Sequence, residues 1–314
     1  MTLSNKFKQL MNDTKHLESL SSEIDKVKAK TDYGDDNRYW KPEVDKAGNG
    51  YAVIRFLPIP EKDYGKLTRP FVKLYSHGFK GPTGRWYIEN SRTTLGEEDP
   101  VSQHNSVLWN SGDDEKIATA RRQKRKLAYI SNILVIKDEK HPENEGKVFL
   151  FKYGPKILEK LEEATKPTFP DQPKFNPFHH LEGANFKLKI RNGDGGFRNY
   201  SSSEFDKQSP IANGDAEKIQ EIWESEHSLL DIIAPSNFKS YAELLKKLES
   251  VLGTVHVVAG QSANEIVVDE DEETPPWIDV PTTNKKTATP AAAPVVEDAG
   301  DDDDDLAMFK KLAS

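Results

Sequence analysis

Cysteine is absent from all 314 residues, which excludes disulfides, thiol catalysis and any cysteine-ligated metal. No run approaches the roughly 20 apolar residues of a membrane span. The opening residues, Met1 to Leu10, lack the apolar stretch of a signal peptide, so a cytoplasmic protein is expected. Catalytic signatures are also missing: there is no phosphate loop, no HExxH and no GxSxG, and Gly193, Gly195 and Gly196 do not open a helix. The pair His179 and His180 sits in a loop without acidic residues at ligand spacing, which suits a structural or solvated role better than a metal site. Hydrophobic residues make up only 35% of the chain, so part of it is expected to lie outside any core.

Charge is plentiful and unevenly placed. The net value is -8, yet Glu265 to Ser314 alone holds fourteen acidic residues against four lysines. The first 264 residues therefore sum to +2, and the bulk average hides a polarised molecule. Five prolines, an alanine run and the blocks Asp269 to Glu273 and Asp301 to Asp305 predict disorder from Asn264 to Gly300, because such a segment buries too little apolar surface to offset its ordering entropy. The last stretch places aspartates ahead of Leu306, Phe309 and Leu312, with Lys310 and Lys311 near the end. That order suits a helix dipole and predicts a short helix formed on a partner, against a simply solubilising end.

The first thirty residues form the opposite extension. Leu3, Leu10, Leu17 and Ile24 recur every seven residues, and Phe7, Leu20 and Val27 fill the intermediate face, so the periodicity is helical. Lysines, including Lys6 and Lys8, decorate the remainder. Such a helix serves equally well docked on its own domain or reaching a neighbouring molecule.

Between the extensions the pattern turns to strands: Tyr51 to Leu57, Phe71 to Phe79, Arg85 to Glu89, Tyr129 to Ile136, Lys147 to Tyr153 and Asn185 to Ile190. Six such runs suggest a small antiparallel barrel. Gly81 to Gly84 (GPTG) reads as a hairpin loop. Helices are expected over Lys156 to Thr165, Ala216 to Ile233 and Tyr241 to Leu252, the last opened by a Ser240/Glu243 capping box and closed by Gly253.

Lys116 to Lys137 carries seven basic residues and no acidic one, concentrated in Arg121, Arg122, Lys124, Arg125 and Lys126, and runs directly into the strand bearing Tyr129. Cations beside aromatics on a sheet hold single-stranded nucleic acid, the charges tracking phosphates while rings stack on unpaired bases. A solvated basic loop is the plainer reading. Further candidates on other strands are Arg55, Trp86, Tyr87, Phe151, Tyr153, Phe197 and Tyr200. Side chains alternate across a strand and one face must be core, so each ring taken singly is as well explained by burial as by stacking.

The stretches Ala47 to Pro58 (AGNGYAVIRFLP), His77 to Glu89 (HGFKGPTGRWYIE), Lys124 to Asp138 (KRKLAYISNILVIKD), Pro142 to Phe149 (PENEGKVF), Glu182 to Ile190 (EGANFKLKI) and Gly196 to Tyr200 (GFRNY) resemble, in order, the single-stranded-DNA-binding proteins of T-even-type bacteriophages. The resemblance covers roughly residues 40 to 253, with the acidic tail in its expected place. It implies a mainly β fold with helices (α+β), a five-stranded OB-fold barrel with a looser inserted subdomain. It also implies cooperative coating of single-stranded DNA during replication, recombination and repair, in the cytoplasm of an infected bacterial host. On that reading residues 1–30 are a self-association arm, with Lys6, Phe7, Lys8 and Leu10 at its centre, and 31–253 is the core. Within the core, 71–125 corresponds to the family's zinc subdomain. Residues 254–314 are then a tail recruiting a polymerase, a helicase loader and a recombination mediator.

The same resemblance places DNA contacts on Arg55, Arg125 and Tyr129, an aromatic pair on Phe197 and Tyr200, and Phe151 where relatives have tyrosine. Ala120 replaces another family tyrosine, with Trp109 available to compensate, and the basic-then-hydroxyl motif near the N-terminus is matched by Ser4, Lys6 and Lys8 only in composition. The family's zinc is held by one histidine and three cysteines; only the histidine survives, as His77, and Asn90 stands at the first cysteine position. Asp99 and His104 are the available substitutes, and they leave a tetrahedron incomplete, so no metal or other cofactor is expected. The expected protein is a non-enzymatic single-stranded-DNA binder, with an acidic-tailed protein-interaction hub as the alternative and a metal-dependent nuclease a distant third.

Overall fold

A computed structural model describes residues 36–193 and 197–255, so the N-terminal arm and the acidic tail lie outside the described residues. The described chain folds as an α+β structure with nine strands in one sheet and five α-helices. The strands are β1 (Tyr39–Trp40), β2 (Gly50–Phe56), β3 (Val72–Lys80), β4 (Trp86–Asn90), β5 (Lys126–Asp138), β6 (Val148–Tyr153), β7 (Ala184–Asn192), β8 (Arg198–Asn199) and β9 (Glu204–Gln208). The helices are α1 (Pro100–Trp109), α2 (Asp114–Gln123), α3 (Pro155–Thr165), α4 (Ala216–Ser225) and α5 (Tyr241–Leu252).

The sheet is organised around β5. Its 13 residues pair antiparallel with β6 along one edge, and the other edge is shared, with Lys126 to Ile130 against β3 and Ile133 to Asp138 against β2. This sharing corrects the expectation of a closed five-stranded barrel. The path β1-β6-β5-β2-β7-β8 stays open, because the β5 edge that would continue one ring instead branches into the β3–β4 hairpin. A register shift in β2 between Val53 and Ile54 bends the sheet at this junction. Ile54, Phe56, Ile133, Val135, Phe186 and Leu188 form the main core.

The six expected strands and the GPTG hairpin are present. Gly81 N–H donates to Arg85 O at 2.9 Å, and Gly84, at φ 79°, supplies the left-handed turn that a side chain resists. Helix α5 begins with the expected capping box and ends at Gly253. Helix α4 stops at Ser225 instead of running to Ile233. Beyond it the amides of Leu229 and Leu230 bond to the buried Asp63 carboxylate, and His227 N–H bonds to Asn132, so tertiary partners replace the helical ladder. Helices α1 and α2 were not anticipated. Each starts on an aspartate N-cap, Asp99 and Asp113, and α1 buries a polar face of Ser102, Gln103, His104, Asn105 and Ser106 that hydrophobic periodicity does not register.

Candidate nucleic-acid interface

Antiparallel register sets Lys73 of β3 opposite Tyr129 of β5, and Tyr75 opposite Leu127. Alternation then puts Phe71, Lys73, Tyr75, Leu127 and Tyr129 on one face of the sheet, and Tyr153 joins them from β6, opposite Tyr129. Rings and cations interleave along this face. The Arg125 guanidinium lies 4.2 Å from the Tyr75 ring centroid, the Lys73 ammonium 5.9 Å from that of Tyr129, and Arg69 5.4 Å from that of Phe71. Phe71 meets Tyr129 edge-on at 5.8 Å, and Tyr129 stacks on Tyr153 at 5.9 Å. Phe71, Lys73, Tyr75, Arg125 and Leu127 are half-buried, whereas Tyr129 is 6% exposed and Tyr153 4%, both within the main core.

The basic cluster does not form one loop. Arg121 and Arg122 are exposed on the last turn of α2, Lys124 caps that helix, and Lys126 begins β5. Arg121 lies 5.5 Å over the Trp109 ring of α1, so Trp109 joins the basic surface. Cations near a helix C-terminus also complement its dipole. Behind the row, Lys152 is pushed down to about 7 by burial and by Lys126.

Other sequence candidates sit differently. Arg55 has no exposed surface: its Nη2 donates to the carbonyls of His179 (3.0 Å), His180 (3.3 Å) and Ser209 (2.8 Å), and burial pushes it down to about 10. In this conformation it is a strut tying three backbone segments, and Gly183 is packed so closely on it that a Cβ would lie 2.8 Å from Nη2. Tyr87 is fully buried, stacked on Phe79 at 5.2 Å beneath Lys247, and Phe151 packs in the core against Trp40. Trp86 is 54% exposed on the outer β4 strand. Half-buried Phe197 and Tyr200 lie by β8, two strands beyond β2 in the sheet order, and Tyr200 packs against the main core. Sequence reasoning missed Phe71 and Tyr75; the available signal was their spacing of two with Lys73, the period of one strand face, in a strand that pairs with the end of the basic cluster.

At the family's metal position the residues do not fit zinc. His77 is buried with Nδ1 3.1 Å from Gln123 O and Nε2 3.3 Å from Asp99 Oδ1. Asp99 is itself occupied, accepting from the Val101 and Ser102 amides through Oδ1 and from the Arg92 amide through Oδ2, each at 3.1 Å. Burial pushes this carboxyl up, and the His77 ring and the amide donors outweigh it, leaving a value of about 2. Asn90 is half-buried, next to Ser91, whose hydroxyl oxygen caps a 3-10 turn. Among the described residues no three His, Cys, Asp or Glu side chains cluster to hold a metal ion.

Comparison with known proteins places the chain in a family. Residues 48–252 match the family described as gp32 DNA binding protein like, a span that contains the whole basic and aromatic row. The chain belongs to that family. It is 39% identical over 249 residues to the single-stranded DNA-binding protein of Enterobacteria phage T2, covering 76% of this chain and 79% of the relative. The corresponding protein of Enterobacteria phage T4 is 41% identical over 236 residues, covering 73% and 74%. A third, from Escherichia phage SV14, is 45% identical over 85 residues, covering 26% of this chain and 71% of the relative. No helix among the described residues is long and apolar enough to cross a membrane.

Proposed function

We propose that this chain binds single-stranded DNA without sequence preference and without chemistry, along the β3–β5 face and the α2 cations. The observation that carries the reading is the row in which Arg125, Lys73 and Arg69 each lie over a ring. Such a row offers phosphates a cationic track and gives unpaired bases π-faces, and duplex DNA, whose bases are stacked inside, uses only the first. Preferential binding then drives melting by mass action without ATP. A gel shift comparing a single-stranded oligonucleotide with its duplex, with and without Mg2+, tests the proposal. Strong retention of the single strand only, intact and metal-independent, supports it; equal retention of both contradicts it.

Coating of viral DNA in an infected host, cooperativity through residues 1–30, the absence of zinc and recruitment of replication proteins through Leu306, Phe309 and Leu312 belong to the same proposal. The tail carries a net charge of -10 on the same chain as the cationic row, so it competes with DNA at high local concentration. Deleting Glu265 to Ser314 therefore raises affinity at low salt, and the gain shrinks as salt screens the tail.

A further inference from the structure

Helix α4 is amphipathic in sequence, with Ile219, Ile222 and Trp223 on one side, yet none of its residues is buried. Its apolar side borders a cleft of about 940 Å³ whose walls include Ile59, Tyr64, Phe178, Leu181, Ile219 and Trp223. Tyr64 is 72% exposed and Leu181 50%, so the lining of this cleft leaves large apolar surface in water.

The cleft is built, and it is braced from both sides. The Trp223 indole N–H donates to Ile59 O at 2.9 Å, and Tyr64 meets Trp223 edge-on at 6.2 Å. The turn that launches α4 holds Ala212 at φ 48° and Asn213 at φ 55°, left-handed values that side chains resist. It is anchored by the Ile211 N–H on His180 O, and Arg55 clamps His179, His180 and Ser209 together beneath. Ile219 and Ile222 pack on the cluster of Leu57, Leu134 and Ile211, and Ile219 and Trp223 also line the cleft, so part of the apolar face of α4 is left to it.

The strongest clue to the occupant is where the described chain begins. Tyr39 packs on the cluster containing Leu229 and Ile232, and Asp36 and Arg38 both act electrostatically on His227. The same segment follows α4 directly, and Lys62, from the opposite wall, donates to Glu226 O at 2.9 Å. The described chain thus begins against the segment that follows α4, and residues 1–30 precede it in sequence. They carry an apolar stripe of Leu3, Phe7, Leu10, Leu17 and Leu20, flanked by lysines at 6, 8 and 15. The polar side of α4 offers exposed Glu217, Glu221 and Glu224. Apolar matches apolar and lysine meets glutamate; a DNA strand, by contrast, would meet those carboxylates with its phosphates.

We infer that the apolar cleft between the 58–70 loop and α4 seats this chain's own N-terminal arm in the free protein. The arm then leaves its seat when it engages a neighbour, so self-association is linked to release from this cleft.

Because the chain has no cysteine, paired labels are unambiguous. In the full-length protein, Gln220→Cys in the cleft wall is combined in turn with Gln9→Cys, His16→Cys or Glu23→Cys, and each is oxidised mildly without DNA. At least one pair should close a disulfide within single chains, with a yield independent of protein concentration. Adding Tyr64→Ser, which removes an exposed ring from the cleft, lowers that yield about tenfold. Crosslinks only between chains, rising with concentration, overturn the inference and assign the cleft to a neighbour's arm, leaving the self-association proposal standing. No crosslink with any pair overturns it and removes the cleft from the arm's path.

Discussion

The Arg125 guanidinium lies 4.2 Å from the centroid of the Tyr75 ring, between the end of α2 and the start of β5. One residue supplies charge and the other a π-face, and the two roles separate experimentally. Replacing Arg125 with alanine removes about one phosphate contact and flattens the slope of log affinity against log salt by roughly 0.7. Replacing Tyr75 with alanine costs roughly 1 to 3 kcal/mol with the slope nearly unchanged. Fluorescence titrations of a short oligonucleotide at several salt concentrations check both.

Arg55 behaves differently from Arg125 if its buried contacts are its main work. Arg55→Met leaves three carbonyls without their shared donor and lowers stability by about 3 kcal/mol, the cost of unmaking a buried charged network. Urea unfolding reads that loss. A variant with unchanged stability and a flattened salt slope would instead make Arg55 a phosphate contact.

Asp99 lies beside His77 in this subdomain, and the proposed absence of zinc is open to a direct test. Asp99→Ala removes the carboxylate beside the His77 ring together with the cap of α1 and the acceptor of the Arg92 amide, at a cost of about 3 kcal/mol. The folded carboxyl is depressed to about 2, so its contribution is full above the unfolded value of 3.8 and is lost as pH falls through 2. Elemental analysis of protein purified without chelator should find no stoichiometric zinc, and chelation should leave the melting temperature unchanged. One zinc per chain would contradict this.

Glu226 supplies a pH dependence of opposite sign. Its carboxyl is fully buried, neither oxygen has a protein hydrogen-bond partner, and burial, aided by Asp63, pushes it up to about 9 against the opposing pull of Lys62. A raised carboxyl contributes fully below its unfolded value of 4.5 and loses stability as pH rises toward 9. Glu226→Gln, neutral at every pH, should stabilise the protein by about 2 kcal/mol at pH 7 and flatten the decline between pH 5 and pH 9, as followed by thermal melts.

Much of the fold was legible because local signals and tertiary structure agree. The Ser240/Glu243 box, the Gly253 stop and the GPTG hairpin are read from spacing alone, and all three form. The open, branched sheet was not, and a closed barrel was expected instead, since nothing in Lys126 to Asp138 announces that one strand will divide an edge between β2 and β3. Helix α1 was hidden by its buried polar face. At the site, composition found the basic cluster but not its division between a helix end and a strand. Alternation does not say where along a face the core ends: Phe151 shares its face and its cluster with Tyr129, and Tyr87 is buried elsewhere, while half-buried Tyr75 and Phe71 went unmarked.

The most direct test is the salt dependence of single-stranded-DNA binding by the protein and by its Arg125→Ala/Tyr75→Ala double variant. If about four to six phosphates track the row, log affinity for the unaltered protein falls with log salt at a slope of roughly -3 to -4. The double variant should bind more weakly at every salt concentration, with a slope shallower by roughly one phosphate's worth, ~0.7. Binding that ignores salt, or a double variant that titrates like the parent, would contradict the assignment of DNA to the β3–β5 face.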